Sequence, residues 1–290
     1  MQLKKWVSGV YSEVEFWKVW IRTHGAFRRN EYDKRLDCNA VLDRQAASLL
    51  PADIPSEEIK ILDVGSGPLS GLGVMHEGKR LAVLAADPLA KAYQSMYRKY
   101  DVVPPVPVQL AFAEDLAVFF RKNEFDLVVC QNALDHMFDP WRALRQMIEV
   151  SKPGGWVLLR HSRNEAVNEG YSGLHQWNLD TNSDGEFILW NKQQSLNVNR
   201  LLAGQVEVKL LTSGPQHIVV ALSKSPDVSL FDSRDAEERL KVLLTELSDL
   251  AVSLGREGVL MRFFFFTKTY LEYFYKKVSS LTKRTIKNLA

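Results

Sequence analysis

The chain has 290 residues, of which 46% are hydrophobic and 25% charged, and its formal net charge is +2. This is an ordinary globular composition, long enough to bury a substantial core, and the small net charge offers no global argument for nucleic acid. Two cysteines, Cys38 and Cys130, are too few and too far apart for a disulfide framework or a cysteine zinc site, so a reducing compartment and no metal are expected.

Residues 1–10 carry lysines but neither a continuous apolar core nor a small-residue cleavage site, which argues against a signal peptide. No stretch approaches the roughly 18 uninterrupted apolar residues of a spanning helix. The expected location is the cytoplasm.

Residues 1–57 read as a helical N-terminal cap. Val10, Val14, Trp17 and Ile21 recur at helical spacing, with Ser12 and Glu15 placed as a capping box and Gly25 as a stop. A second helix is expected from Glu31 to Leu50, ended by Pro51. The tryptophans are expected to pack on the main domain. The cations and Tyr32 between Arg28 and Arg35 could fold over a ligand.

Residues 58–223 alternate strands and helices. Ile59 to Val64 is a short apolar run cut off by Gly65, Gly67 and Pro68, the pattern of a buried strand entering a tight turn. A crossover helix is expected over 69–78, opening near Leu69. Strands follow at 81–86, 106–112, 125–131 and 156–160, with helices at 88–100, 115–122 and 139–151 between them and a turn at Lys152–Gly155. Such alternation predicts a parallel sheet with right-handed crossovers. Residues 162–186 break the rhythm with amides, glycines, Tyr171, His175 and Trp177, and read as a substrate insert. A short strand at 187–190 and a helix at 193–203 are expected next. Strands at 206–211 and 217–222, joined through Gly214 and Pro215, are spaced for an antiparallel hairpin.

Residues 235–290 read as an amphipathic helix followed by a basic, aromatic one. The last 30 residues hold seven cations against Glu272 alone. Phe263, Phe266, Tyr270, Tyr273 and Phe274 share a helical face there, so 256–290 is a candidate for contact with an anionic membrane surface or a partner, oligomer formation included.

Four features stand in register. Asp63-x-Gly65-Ser66-Gly67 forms the first turn, where small residues let backbone approach a ligand. Asp87-Pro88 ends the second strand, where a carboxylate can accept ribose hydroxyls. Ala113-Glu114-Asp115 closes the third strand, and Gln131-Asn132 followed by Asp135-His136 closes the fourth.

This set, with Asp139-Pro140 and Lys152-Pro153-Gly154-Gly155-Trp156, resembles the class I S-adenosylmethionine-dependent methyltransferases over about residues 58–222. The resemblance implies a Rossmann-like, doubly wound, seven-stranded and mostly parallel α/β sheet with a C-terminal antiparallel strand. It implies S-adenosyl-L-methionine as cofactor, with Asp63, Gly65, Ser66 and Gly67 under its methionine and ribose and Asp87 and Pro88 at the ribose. Ala113 and Glu114 would border the adenine, and Gln131 and Asn132 would meet the methionine end. Leu69 and Phe112 depart from the family pattern, the first where many members carry a glycine and the second where many carry an acid.

Methyl transfer needs positioning and, for a hydroxyl acceptor, a base; His136, His161 and His175 are the candidates. The polar, aromatic insert suits a small polar or saccharide acceptor, a membrane-proximal glycan included; nucleic acid is not expected. Competing readings are a nucleotide-dependent oxidoreductase, disfavoured because Ser70 replaces the third glycine of its fingerprint, and a non-catalytic cofactor-binding module.

Overall fold

The computed structural model describes residues 3–53, 55–226, 228–230, 241–243 and 245. The basic aromatic tail at 256–290 lies outside these residues, as does the helix expected at 235–255 except for 241–243 and 245, which are helical.

α1 runs over Leu3–Arg22, longer than its sequence signals suggest, so Ser12 sits inside the helix and caps nothing. Trp6, Val10, Trp20 and Ile21 are buried against Leu69, Leu89, Tyr93 and Phe112. Burial of an aliphatic side chain such as Ile21 contributes about 1.5–3 kcal/mol, which is what docks this helix. The second helix is divided. α2 covers Arg29–Leu36, and α3 (Arg44–Ala47) begins at Asp43, whose carboxylate accepts from the backbone N–H groups of Gln45 and Ala46.

The extended chain between α2 and α3 explains a second departure. After β1 (Lys60–Val64) no helix forms over 69–78. The Val74 N–H donates to Ala40 O, and the Leu42 N–H donates to Met75 O. Gly73 lies so close to Val41 that an added Cβ would come within 2.2 Å of its backbone. Pro68, Gly71 and Gly73 weaken a helix here, and the N-terminal segment takes the backbone groups instead. A small hairpin, β2 (Met75–His76) and β3 (Lys79–Arg80), completes the connection.

The remainder follows the alternation. β4 (Ala82–Ala86) leads to α4 (Ala90–Tyr100), and β5 is only Val108–Gln109. A 3-10 turn at Ala113–Asp115 precedes α5 (Leu116–Phe119) and β6 (Phe125–Gln131). α6 (Pro140–Val150) has proline in its first turn and Asp139 as its cap, accepting from the Arg142 N–H at 2.9 Å. β7 spans Ser151–Ser162, so the Pro153–Gly155 stretch lies within a strand irregularly paired to β6 and is not a separate turn.

The insert contains a helical turn, α7 (Glu165–Asn168). It continues into a separate three-stranded antiparallel sheet of β8 (Asn178–Thr181), β9 (Phe187–Trp190) and β10 (Ser195–Asn197). The helix expected at 193–203 is reduced to α8 (Val198–Leu201) behind β10. β11 (Val206–Ser213) and β12 (His217–Lys224) form the hairpin.

The main sheet has seven strands in the order β11-β12-β7-β6-β1-β4-β5, with β12 antiparallel to both of its neighbours. This is a Rossmann-like, doubly wound architecture with the antiparallel strand that the sequence led us to expect. Buried aliphatic and aromatic side chains cover both faces, which is why the central strands read as continuous apolar runs. Chain order reverses direction at β1, between β4 and β6. In open α/β sheets, ligands bind in the crevice at the carboxyl ends of strands at such a point. No helix among the described residues is long and apolar enough to cross a membrane.

Candidate active site

That crevice is a cleft of about 640 Å³. Its size is within the roughly 300–1,000 Å³ of small-molecule sites. Twelve of the thirteen residues singled out from sequence line it: Asp63, Gly65, Ser66, Gly67, Asp87, Pro88, Ala113, Glu114, Gln131, Asn132, His136 and His175. His161 does not. It is 3% exposed, and burial pushes its pKa down to about 4. Nor does Phe112, which is buried against Trp6 and Phe119.

The glycine turn differs from its expected role. Gly65 and Gly67 have φ of +69° and +66°, backbone that L side chains rarely adopt. The space a Cβ would take is nevertheless filled by protein: the Ala133 methyl stands 2.5 Å from it at Gly65, and the Trp17 indole 2.8 Å from it at Gly67. The glycines let the β6 loop and α1 close on the turn.

The carboxylates divide by partner. Asp63 accepts from the Ser70 hydroxyl at 2.6 Å, and burial raises its pKa to about 6; it ties down the turn. Asp87 accepts from the Gly67 N–H at 3.0 Å and the Leu89 N–H at 2.8 Å, with the Tyr93 hydroxyl also donating. A carboxylate has about four acceptor sites, so about one remains for a ribose hydroxyl where sequence suggested two. Burial pushes Asp87 up to about 7. Glu114 is committed elsewhere. Its Oε1 accepts from the N–H groups of Phe138 and Asp139, at 3.0 and 3.3 Å, and burial raises it to about 8. It therefore holds the loop after β6 and contributes its backbone to the cleft wall. The Asn132 side chain is likewise engaged, its Oδ1 accepting from the Ser162 N–H at 3.0 Å.

At the tip of β6 three groups converge. Asp135 Oδ2 lies 2.8 Å from His175 Nδ1, His175 Nδ1 lies 3.1 Å from His136 Nε2, and His136 Nε2 lies 3.6 Å from Asp135 Oδ2. Asp135 and His136 share a 3-10 turn (Leu134–His136), and the Gln176 N–H donating to Asp135 O pins the insert against it. Burial alone would raise Asp135, but the adjacent His136 and His175 draw it down to about 2. Burial also works against a charged His175, yet the hydrogen bond and charge of Asp135 carry its pKa above the ordinary value.

The fourth wall was not legible as a site. Trp6, Glu13, Trp17 and Trp20 of α1 line the cleft, joined by Arg28, Glu31, Lys34 and Arg35. Arg35 donates to Leu69 O at 2.7 Å and to Glu31, and its guanidinium lies 5.6 Å from the Trp20 ring centre. The helical spacing of aromatics marked this face, but as packing alone. The mixture of cations and Tyr32 at Arg28–Arg35 was the better signal.

A family model described as "Methyltransferase domain" matches residues 62–159. The match marks residues 62–159, about a third of the chain, as a methyltransferase domain. The matched span holds the glycine turn, Asp87, Glu114 and the Asp135-His136 turn. A ubiquinone biosynthesis O-methyltransferase of Thiobacillus denitrificans is 34% identical over 103 residues, covering 34% of this chain and 42% of that protein. A chloroplastic 2-methyl-6-phytyl-1,4-hydroquinone methyltransferase 2 of Oryza sativa subsp. japonica is 26% identical over 179 residues, covering 60% of this chain and 47% of that protein. The chain thus spans less than half the length of these curated relatives. The solved structure of the trans-methyltransferase CalH complex with SAH aligns at 15% identity and TM-score 0.41, covering 59% of this chain and 52% of that one.

Proposed function

We propose that this chain transfers the methyl group of S-adenosylmethionine to a hydroxyl of a small polar acceptor. The observation that carries this reading is one cleft with two ends. A buried carboxylate suited to a ribose hydroxyl and the Asp135–His136–His175 cluster line it together, the two ends the reading assigns to cofactor and acceptor.

The residues fit the cofactor. Asp87 retains an acceptor position, the Gly65–Gly67 turn offers backbone at the cleft floor, and Ala111, Ala113 and Met137 supply apolar wall for a purine. When bound, the cofactor supplies an electrophilic methyl group on a sulfonium. The protein's part is to orient the acceptor, exclude water and deal with the hydroxyl proton. Trp6 and Trp17 cover the cleft from α1. His136 and His175 face the cleft beside the expected methyl position, whereas His161 is sealed from it.

The acceptor class we assign is a hydroxylated ring. Trp6, Trp17 and Trp20 give the cleft an apolar, aromatic lining, and Glu13, Arg28 and Lys34 add polar groups to it. A saccharide, including a membrane-proximal glycan, meets this description. A phenolic ring is the second reading, favoured by the hydroquinone and ubiquinone names of two relatives. Segment 256–290 would bring the enzyme to a membrane surface or a partner, and liposome sedimentation with and without it tests that part.

The deciding experiment supplies methyl-labelled cofactor with panels of monosaccharide, glycolipid and phenolic acceptors. Label in a methyl ether supports the proposal. A protein that binds NAD but not S-adenosylhomocysteine overturns it, as does one that binds the cofactor and labels no hydroxyl in cell extract.

A further inference from the structure

We propose that Asp135, His136 and His175 form a binding site for one divalent transition-metal ion, at which the acceptor hydroxyl is deprotonated. This deepens the proposed function and, in its methyl-transfer step, rests on it.

The argument is geometric. The three ligand atoms form a triangle with sides of 2.8, 3.1 and 3.6 Å. Zinc and similar ions sit about 2.0–2.2 Å from imidazole nitrogen and carboxylate oxygen, which requires ligand atoms about 3.0 Å apart in octahedral and 3.4 Å apart in tetrahedral arrangement. The observed triangle brackets that interval before any adjustment.

Hydrogen bonding alone accounts for the cluster poorly. His175 Nδ1 is the near neighbour of both Asp135 Oδ2 and His136 Nε2. If it carries a proton, it donates to the carboxylate and cannot also accept from His136. If it carries none, it faces the carboxylate lone pair to lone pair. A cation satisfies all three lone pairs at once.

The frame is rigid where a metal site needs rigidity. Two ligands come from one 3-10 turn at the end of a central strand, and the third is tied to that turn by the Gln176–Asp135 backbone hydrogen bond. Asp135 is 3% exposed, whereas His136 and His175 border the cleft. All three residues line the cleft, so an ion held by them is open to an acceptor there. Two histidines and one carboxylate favour zinc, manganese, iron or nickel over magnesium and calcium, which prefer all-oxygen sites.

With the ion in place, the acceptor oxygen binds at an open position and its O–H acidity rises. The proton leaves to water. The resulting oxygen anion forms the O–CH₃ bond as the CH₃–S bond of the sulfonium breaks, and that bonding pair stays on sulfur to give a neutral thioether. The histidines act as ligands in this step, so neither accepts the proton.

The test uses the full chain, stripped with a chelator and titrated with Co²⁺ and Zn²⁺ alone, followed by cobalt ligand-field absorption and calorimetry. S-adenosylhomocysteine affinity is measured separately on every sample. The expected result is one ion per chain, with a cobalt spectrum of nitrogen and oxygen ligation. Binding should weaken by about tenfold or more in His175→Ala and in His136→Gln, while His76→Ala, on the β2–β3 hairpin, leaves it unchanged. Retained S-adenosylhomocysteine affinity in the first two variants shows that the fold survives. Sub-stoichiometric binding, or binding that His136→Gln and His175→Ala leave intact, overturns the site. Metal binding without S-adenosylhomocysteine binding keeps the site and sinks the methyltransferase reading; the reverse does the opposite.

Discussion

Asp87 makes cofactor binding depend on pH in a calculable way. Burial raises its carboxyl to about 7, so the free protein holds it mostly protonated at pH 6. A ribose hydroxyl donating to it favours the ionised form, and binding therefore releases a proton. The sign follows directly: affinity rises with pH up to about 7 and levels off above. A hydrogen bond of about 1.5–3 kcal/mol lowers the bound pKa by about 1–2 units, and linkage then gives roughly 6- to 30-fold tighter binding at pH 7 than at pH 5. Asp87→Asn removes the titrating group and one charged acceptor. A hydrogen bond to a charged partner contributes about 1.5–3 kcal/mol, so affinity at pH 8 should fall about 10- to 100-fold and its pH dependence should disappear. Calorimetry with S-adenosylhomocysteine from pH 5 to 8, in buffers of different ionisation enthalpy, reads both the affinity and the released proton. Asp63→Asn serves as control and should keep the slope, because Asp63 is bound to Ser70. A flat wild-type profile, or an unchanged slope in Asp87→Asn, would refute the ribose contact.

Two further outcomes concern the frame of the cleft. Gly67→Ala places a methyl 2.8 Å from the Trp17 ring at a φ of +66°. The backbone strain alone costs about 1–2 kcal/mol. Denaturant melts should show at least that loss, and a smaller one in a Trp17→Ala background where the collision is gone; equal losses in both would mean the indole does not sit on this turn. Glu114 titrates at about 8 in the fold against 4.5 for the unperturbed group. Its native state thus binds more protons than the unfolded state across that interval, and stability falls as pH rises from about 5 to 7.5. Asp63 and Asp87 act in the same direction, while Asp135, at about 2, has already titrated below this window. Glu114→Gln keeps an acceptor for Phe138 and Asp139 and should flatten the decline in melting temperature; an unchanged decline would place the effect elsewhere.

The sheet was legible because its central strands are buried on both faces and leave unbroken apolar runs such as Leu127–Cys130. The site's register was legible for a related reason, since polar residues at strand tips interrupt those runs at Asp63, Asp87 and Gln131. What escaped depends on contacts between distant segments. No local pattern tells that Ala40 and Leu42 will hydrogen-bond to Val74 and Met75 and forestall a helix. Glu114 could be located but not given its task, because the N–H groups it accepts from lie about two dozen residues later. His175 and Asp135 are 40 positions apart, and only the insert's folding back brings their side chains together. Pro153 to Gly155 read as a turn, and within β7 they form an irregular stretch that pairs with neither β6 nor β12, with Gly154 at a φ of +75°.

The most direct measurement is a crystal structure of the full chain with S-adenosylhomocysteine. The ribose should meet Asp87, the methionine should lie along Gly65–Gly67, and the thioether sulfur should face Asp135, His136 and His175. Density for the ligand anywhere else, or an empty cleft at saturating ligand, would contradict the account.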